Sequence, residues 1–174
     1  IRTPKQARQE RMEFIQSISP HKDWDTRVAG IKRVMGVIKG GAFNFEEFSQ
    51  NLNQATPDLI DAALDLRSTL CKWACMLIAL LAQNMGASFN RMGDFIQPLS
   101  RRTSNSALII AKSTSTAIYE IVANCQHKKT LQQVLYLASS KNVQNRLICT
   151  DSLLIVFSQW SESQRNSEDL SIEE

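Results

Sequence analysis

The sequence predicts an all-α protein, an α-solenoid built from paired antiparallel helices. Apolar residues recur at helical spacing through nearly the whole chain, and no stretch alternates convincingly between apolar and polar residues. Glycine and proline are scarce, at 6 and 4 of 174 residues, which disfavours turn-rich β architectures. Long helices also open at a regular interval, at Arg27, Arg67, about Ile110 and Arg146, which are 40, 43 and 36 residues apart.

This period of about 40 residues, with two helices in each unit, is typical of HEAT-type repeats. In such a repeat each helix pair buries its apolar face against its neighbours, so stability comes from stacking. About three and a half to four such units fit the chain. A helical bundle of similar helix content is the alternative that periodicity alone leaves open.

Eight helices are predicted along the chain, each bounded by a helix-stopping residue or by a polar turn. In chain order they cover 2–18, about 26–39, 45–64, 65–85, 89–99, 108–125, 130–138 and 143–160. Pro20, Gly40-Gly41 and Gly86 supply stops, and Pro57 is expected to interrupt the third helix. The buried face of the fourth helix is expected to hold Leu70, Ala74, Leu77, Ile78 and Leu81.

The two ends of the chain carry opposite charge. Residues 1–40 carry nine Lys and Arg against four Asp and Glu, whereas residues 161–174 carry one against five. We therefore predict a basic N-terminal helix at 1–20 that packs on the first repeat, and a repeat domain at 21–160. An acidic polar tail at 161–174 is expected to be loosely ordered or to start a further helix. The basic end favours an acidic partner, and the first residue, Ile, indicates a piece of a longer chain.

Several classes of function lack support in the sequence. The cysteines form no Cys-x-x-Cys motif and the two histidines lie far apart, so we expect buried, reduced thiols in an intracellular protein and no metal site. Neither a phosphate-binding glycine loop nor a Ser/His/Asp or Cys/His arrangement occurs, so neither an enzyme nor a cofactor is predicted. Few aromatic residues lie among the basic ones, which disfavours nucleic acid. The longest apolar run, Ala74 to Ala82, is too short to span a membrane.

The turn inside each predicted helix pair falls on one edge of such a solenoid, so the four turns would form a continuous strip. They are HKDWDTR at 21–27, LDLRS at 64–68, RRTSNSA at 101–107 and SKNVQNR at 140–146. Basic residues recur in all of them, although basic turn residues often only face water. Trp24 could anchor an interface or, with Asp25 as the N-cap, pack on Ala29 of its own helix. Arg27 could likewise pair only with Asp23 or Asp25.

Four stretches of the sequence carry a family resemblance. They are DWDTRVAGIKRVMGVIKGGA at 23–42, LDLRSTLCKWACMLIALLAQNMGASF at 64–89, NSALIIAKSTSTAIYEIVANC at 105–125 and SKNVQNRLICTDSLLIVFSQW at 140–160. Together they resemble a TOG domain of the CLASP family (cytoplasmic linker-associated proteins), most closely the second TOG domain of that family. The match is in order, without large insertions, over about residues 20–160. Its most specific part is Asp65-Leu66-Arg67-Ser68, which opens a long helix.

The resemblance implies a TOG-type paddle of HEAT repeats that binds αβ-tubulin and microtubules through the turns along one edge. In that family a Trp of the first turn packs on tubulin, and basic and polar residues of later turns contact its acidic surface. The tubulin-binding residues that the resemblance implies here are Trp24, Arg27, Arg67, Ser68, Asn105, Ser106, Ala107, Lys141, Asn142 and Arg146. It also implies a cytoplasmic regulator that stabilises microtubules, promoting rescue and suppressing catastrophe, at plus ends, the spindle, the kinetochore and the cell cortex.

Two departures from the family pattern are visible. Second TOG domains of CLASPs tend to carry Lys after Asn-Ser-Ala in the third turn, whereas this chain has Leu108, with Lys112 one helical turn on. The fifth and sixth repeats, which in the family contact the other tubulin subunit, are absent from the sequence. A solenoid of this length is expected to expose Leu153, Ile155 and Phe157 and to self-associate. The alternative function is therefore a TOG-like scaffold for a non-tubulin partner, such as another cytoskeletal adaptor.

Overall fold

The structure, a computed structural model, describes residues 16–40, 46–89 and 91–161, and these ranges hold seven α-helices. They are α1 (Trp24–Lys39), α2 (Glu46–Leu64), α3 (Ser68–Met85), α4 (Ile96–Ser100), α5 (Leu108–Asn124), α6 (Lys128–Tyr136) and α7 (Val143–Gln159). Short 3-10 helices cover Gly86–Ser88, Met92–Phe95 and Leu137–Ser139. The described ranges contain no strand, which confirms the all-α prediction.

The helices form two layers. The odd-numbered helices pack side by side in chain order, with α1 on α3, α3 on α5 and α5 on α7. The even-numbered helices form the second layer, with α2 against α4 and α4 against α6. Each even helix also packs on the odd helix that follows it, so the layers cover each other. This stack of helix pairs confirms the α-solenoid of HEAT-like repeats.

A continuous apolar core lies between the two layers. The predicted buried face of the long helix is confirmed in α3, since none of its five residues has measurable exposure. Ile31 of α1, Phe95 before α4 and Ile118 of α5 extend the same core along the solenoid. Removing such side chains from water is the main stabilising contribution of the stacked repeats.

Pro57 lies inside α2 and does not interrupt it, so that prediction was wrong. A proline within a helix leaves the carbonyl four residues earlier without its usual N–H donor. Here that carbonyl belongs to Asn53, and Arg91 Nη1 donates to it over 3.0 Å. A side chain from the next repeat therefore replaces the missing backbone donor, and the helix continues to Leu64.

Several predicted helix boundaries also differ. α1 begins at Trp24 rather than Thr26, and α3 begins at Ser68 rather than Asp65. The helix predicted over 89–99 is a 3-10 turn followed by the five residues of α4. Gly93, a weak helix former, lies in that 3-10 turn and is buried close to Lys129 of α6.

The prediction for the last helix is partly wrong. Leu153 and Ile155 are partly buried against the core, whereas Leu154 and Phe157 are exposed. The basic N-terminal helix and the acidic tail lie outside the described residues, apart from 16–20 and 161. The positions of Phe45 and Phe48 likewise carry no described side chain.

Candidate protein interface along the turn edge

Four turns lead into the odd-numbered helices, and we call the surface they form the turn edge. It comprises residues 19–23, 65–67, 101–107 and 140–142, together with the first helical residue after each turn. Those first residues are Trp24, Ser68, Leu108 and Val143. Because the odd-numbered helices pack side by side, their N-terminal turns follow one another along one side of the molecule.

Three of the turns share one local conformation. In each, a side-chain oxygen accepts a hydrogen bond from the backbone N–H two residues later, which is the turn geometry that Asp, Asn and Ser favour. The bonds run from Arg67 to Asp65 (2.7 Å), from Ala107 to Asn105 (2.9 Å) and from Asn142 to Ser140 (3.2 Å). The same backbone scaffold therefore presents a different side chain at each equivalent position.

Hydrogen bonds also join neighbouring turns. A guanidinium nitrogen of Arg102, in the third turn, donates to the carbonyl of Leu64, which immediately precedes the second turn. The amide of Asn142, in the fourth turn, donates to the hydroxyl of Ser104 in the third over 2.7 Å. The spacing of the second, third and fourth turns is thus fixed by direct bonds as well as by helix packing.

A buried pair strengthens the link between the third and fourth turns. The hydroxyl of Thr103 donates to Oδ1 of Asn145 over 2.7 Å, and both residues are buried. Asn145 Nδ2 in turn donates to the hydroxyl of Ser140 over 3.2 Å. Buried polar groups that satisfy one another in this way fix a single geometry.

Trp24 lies at the surface, with 43% of its area exposed. The predicted N-cap is wrong: Asp23 is the N-cap of α1, and Asp25 accepts a bond from the N–H of Thr26 instead. Trp24 is therefore the first residue of the helix. The predicted packing on Ala29 requires Trp24 to precede the N-cap, so that prediction no longer applies. A large indole is held at the start of the turn edge.

Arg27 is not available to a partner, which corrects its prediction as a contact residue. Only 4% of the residue is exposed. Its Nη2 donates to Asp61 over 2.9 Å and to the carbonyl of Asp58 over 3.2 Å, and its Nε donates to the carbonyl of Ile18 over 3.0 Å. The expected pairing with the nearby carboxylates of its own turn is also wrong. Arg27 joins the first repeat to α2 of the second.

The other predicted cations do face outward. Arg67 has a largely exposed side chain, and its Nη1 lies 3.5 Å from Asp65. Lys141 and Arg146 are exposed in the fourth turn and the start of α7. Arg146 Nη1 donates to the carbonyls of Ser140 and Lys141, which holds the guanidinium over its own turn. These three side chains place positive charge along the second and fourth turns.

The predicted polar contact residues divide into two groups. Ser106 is exposed, and Ser68 and Ala107 are half-buried, so each has accessible surface on the turn edge. Asn105 and Asn142 are half-buried and organise their own turns, since Asn142 Oδ1 caps α7 by accepting from the N–H of Gln144 over 2.9 Å. Their main contribution is to shape the edge.

Sequence reasoning missed the apolar part of this surface. Leu66 is 81% exposed in the second turn, Leu108 is 65% exposed in the third, and Val143 is 59% exposed in the fourth. The available signal was that Leu66 precedes the apolar periodicity of α3. An apolar residue outside the buried helical stripe, inside a polar turn, is expected to be exposed.

A cleft of about 610 Å³ lies at the opposite edge, between the even-numbered helices. It is lined by Asn53, Arg91, His127 and Lys129. Beside it, Asp94 accepts from Lys129 Nζ at 2.7 Å and from Arg91 Nε at 3.1 Å. Burial alone would raise the pKa of Asp94, but these two donors outweigh burial and hold that pKa below its ordinary value.

Cys71, Cys75, Cys125 and Cys149 are all buried free thiols. A hydrogen bond to Cys71, together with burial, raises the pKa of Cys75, and burial raises the pKa of Cys125 to about 12. Within the ranges that the structure describes, no group of three or more His, Cys, Asp and Glu side chains could hold a metal ion.

None of the helices in the described part of the chain combines the length and the apolar character needed to cross a bilayer.

Comparison with known proteins gives one family and several relatives. The family model described as CLASP N terminal matches residues 8–173. A CLIP-associated protein of Arabidopsis thaliana is 28% identical over 151 residues, which cover 84% of this chain and 10% of that protein. CLIP-associating protein 1-A of Xenopus laevis is 27% identical over 139 residues, which cover 79% and 10% of the two chains. The matched segment thus spans about a tenth of each relative.

Proposed function

The chain belongs to the CLASP N-terminal family, and from that membership we propose that it is a microtubule-associated domain that binds αβ-tubulin through the turn edge. The observation that carries the proposal is Trp24, an indole that is 43% exposed at the first turn of a solenoid edge whose later turns carry cations. Trp and Arg are the residues that most often anchor protein interfaces. Tubulin supplies the acidic surface that this edge would complement.

The contact set follows the turns in order. Trp24 packs on the partner at one end, and Arg67 and Lys141 meet carboxylates further along. Ser68, Ser106, Ala107 and Arg146 complete the set, with Asn105 and Asn142 holding the turns in shape. Arg27 is left out of the set because it is buried.

The proposed mechanism is conformational and involves no covalent step. Turns joined by hydrogen bonds form a rigid edge, and a rigid surface loses little conformational freedom when it binds. Such a surface shifts its partner toward the conformation that it fits best, by the difference in affinity between the two conformations. Stabilisation of microtubules, through rescue and suppression of catastrophe, is the corresponding cellular activity.

The protein then acts on cytoplasmic microtubules, at plus ends, the spindle, the kinetochore and the cell cortex. It requires no cofactor and no catalytic residue. Long-range attraction between the basic turns and an acidic partner would raise the association rate, and this contribution would fall as the ionic strength rises.

Analytical ultracentrifugation of the chain with purified αβ-tubulin, at low and at physiological salt, tests the proposal. Trp24→Ala and Arg67→Glu are expected to abolish the complex while the helical circular dichroism stays unchanged. Lys39→Glu is the matched control for charge, because Lys39 is exposed at the far end of α1. Full tubulin affinity in both turn-edge variants would overturn the proposal.

A second candidate function is a TOG-like scaffold that uses the same edge for a non-tubulin protein. Leu108 favours it, because an exposed apolar side chain stands where the resemblance implies a lysine. A folded chain that forms no complex with tubulin at low salt would support this candidate over the first. Other cytoskeletal adaptor proteins are then the partners to test.

A further inference from the structure

Every part of the turn edge carries an exposed apolar side chain. Eleven large apolar side chains are exposed within the described residues, and five of them belong to the edge or its next residue. The five are Trp24, Leu66, Leu108, Ile109 and Val143. Scattered single apolar residues are normal on a protein surface, but a clustered row marks an interaction site.

The row is regular, because it follows the repeats. Trp24, Leu108 and Val143 are each the first residue of their helix, and Leu66 stands just before the N-cap of α3. Neighbouring helix axes in packed layers are about 8–10 Å apart, so the row extends over about 25–30 Å. Each turn therefore contributes at least one exposed apolar side chain, and the third turn contributes two, Leu108 and Ile109.

Cations flank the row. Arg67 is the residue after Leu66, and Lys141 and Arg146 lie on either side of Val143. The partner that fits this pattern is a protein surface in which apolar side chains alternate with carboxylates. A nucleic acid would meet the cations but would leave the leucines and the valine in water, so a protein partner is favoured.

We propose that Leu66 and Leu108 add affinity contacts to the turn edge beside the Trp24 anchor, and that the cations chiefly steer the partner and set its orientation. This inference rests on the proposed function, because it names two further contacts of the tubulin-facing edge. Contacts that bury apolar surface act mainly on dissociation, whereas exposed charges act mainly on the association rate and its salt dependence.

The position of Leu108 sharpens this inference. A lysine there would add a charge contact that weakens as salt is raised, whereas a leucine adds a contact that persists. The chain should therefore hold its partner at physiological salt with a shallower salt dependence than its Leu108→Lys variant. Leu108→Lys should also bind more weakly at physiological salt, since an apolar contact has been replaced by a screened charge.

The test measures the tubulin dissociation constant at low and at physiological salt for Leu66→Ser and Leu108→Ser. Leu154→Ser is the matched control, because Leu154 is 63% exposed on the same layer but lies in the C-terminal half of α7, away from the turn edge. We expect each turn-edge variant to raise the dissociation constant about tenfold or more at both salt concentrations, and the control to leave it unchanged. Circular dichroism checks that all three remain folded.

Two different failures are distinguishable. If the unmodified chain binds tubulin through Trp24 and Arg67 but the two serine variants bind as tightly as the control, the inference is overturned and the proposed function stands. If the unmodified chain binds no tubulin at either salt concentration, the proposed function is overturned, and the assignment of Leu66 and Leu108 to that complex is overturned with it.

Discussion

Arg27 and Arg146 occupy the same position, the fourth residue of their helices, yet they point in different directions. Arg27 reaches across to Asp61 of α2 and is buried, whereas Arg146 turns back onto the carbonyls of its own turn and is exposed. The difference follows from their neighbours, because α2 supplies a carboxylate beside Arg27. One arginine therefore holds two repeats together and the other faces solvent.

Arg27→Ala is expected to lower the free energy of unfolding by about 2–4 kcal/mol, because three acceptors lose their donor and one pair is partly buried. Urea unfolding followed by circular dichroism measures the change. Arg33→Ala is the matched control on the same helix, where an exposed arginine should contribute less than about 0.5 kcal/mol. A loss of similar size in both variants would contradict the role of Arg27 as a link between repeats.

Gly86→Ala is expected to destabilise the protein by about 1–3 kcal/mol, because Gly86 ends α3 with a φ of +52° that L-residues rarely adopt. A Cβ there would also lie 3.1 Å from the carbonyl oxygen of Asn124. Gly36→Ala is the opposite case, since Gly36 lies within α1 and a Cβ added there would meet no atom of the described residues within 4 Å, apart from the backbone of its own helix. That substitution should stabilise the protein by about 0.5–1 kcal/mol. Thermal unfolding should move the two midpoints in opposite directions.

Asp94 should make the free energy of unfolding depend on pH in acidic solution. A carboxylate whose pKa is lowered in the folded state stabilises the fold above its unfolded-state pKa, near 4, and the contribution is lost as the pH falls through the folded-state pKa. Asp94→Asn is therefore expected to be less stable than the parent at pH 7 by about 0.5–1 kcal/mol, a value discounted for solvent screening. The difference in the free energy of unfolding between the parent and Asp94→Asn should disappear as the pH falls below about 4.

Lys129→Met tests whether the ion pair between Asp94 and Lys129 causes that pH effect. It removes the donor at 2.7 Å while leaving the carboxylate of Asp94 in place. The two substitutions should not add, because each removes the same ion pair. Full additivity at pH 7, measured by urea unfolding, would mean that the Asp94–Lys129 pair contributes nothing to stability.

The parts of the fold that sequence could predict are those recorded in local periodicity. The buried face of α3 was predictable because its apolar residues recur every three or four positions along the chain. Only burial of one side of a helix selects that spacing. The stop at Gly86 was predictable for a similar reason, since a glycine after an apolar helix is a frequent C-terminal signal.

The parts that sequence could not predict depend on residues far away in the chain. Nothing near Arg27 indicates that Asp61 will be its partner, and nothing near Pro57 indicates that Arg91 will donate to the carbonyl of Asn53. Both contacts exist only once the repeats have stacked. The apolar side of the candidate interface was missed for a different reason, because Leu66 belongs to no apolar period and only its isolation in a polar turn marks it.

Because the four turns belong to four different repeats, the preference for a partner can change in small steps during evolution. Each turn belongs to its own repeat, and each repeat contacts only its neighbours, so distant turns contribute to binding almost independently. An exchange in one turn, such as a leucine for a lysine at position 108, alters a single contact and leaves the spacing of the others intact. The turn edge is therefore modular, and single substitutions can change its binding specificity without loss of the fold.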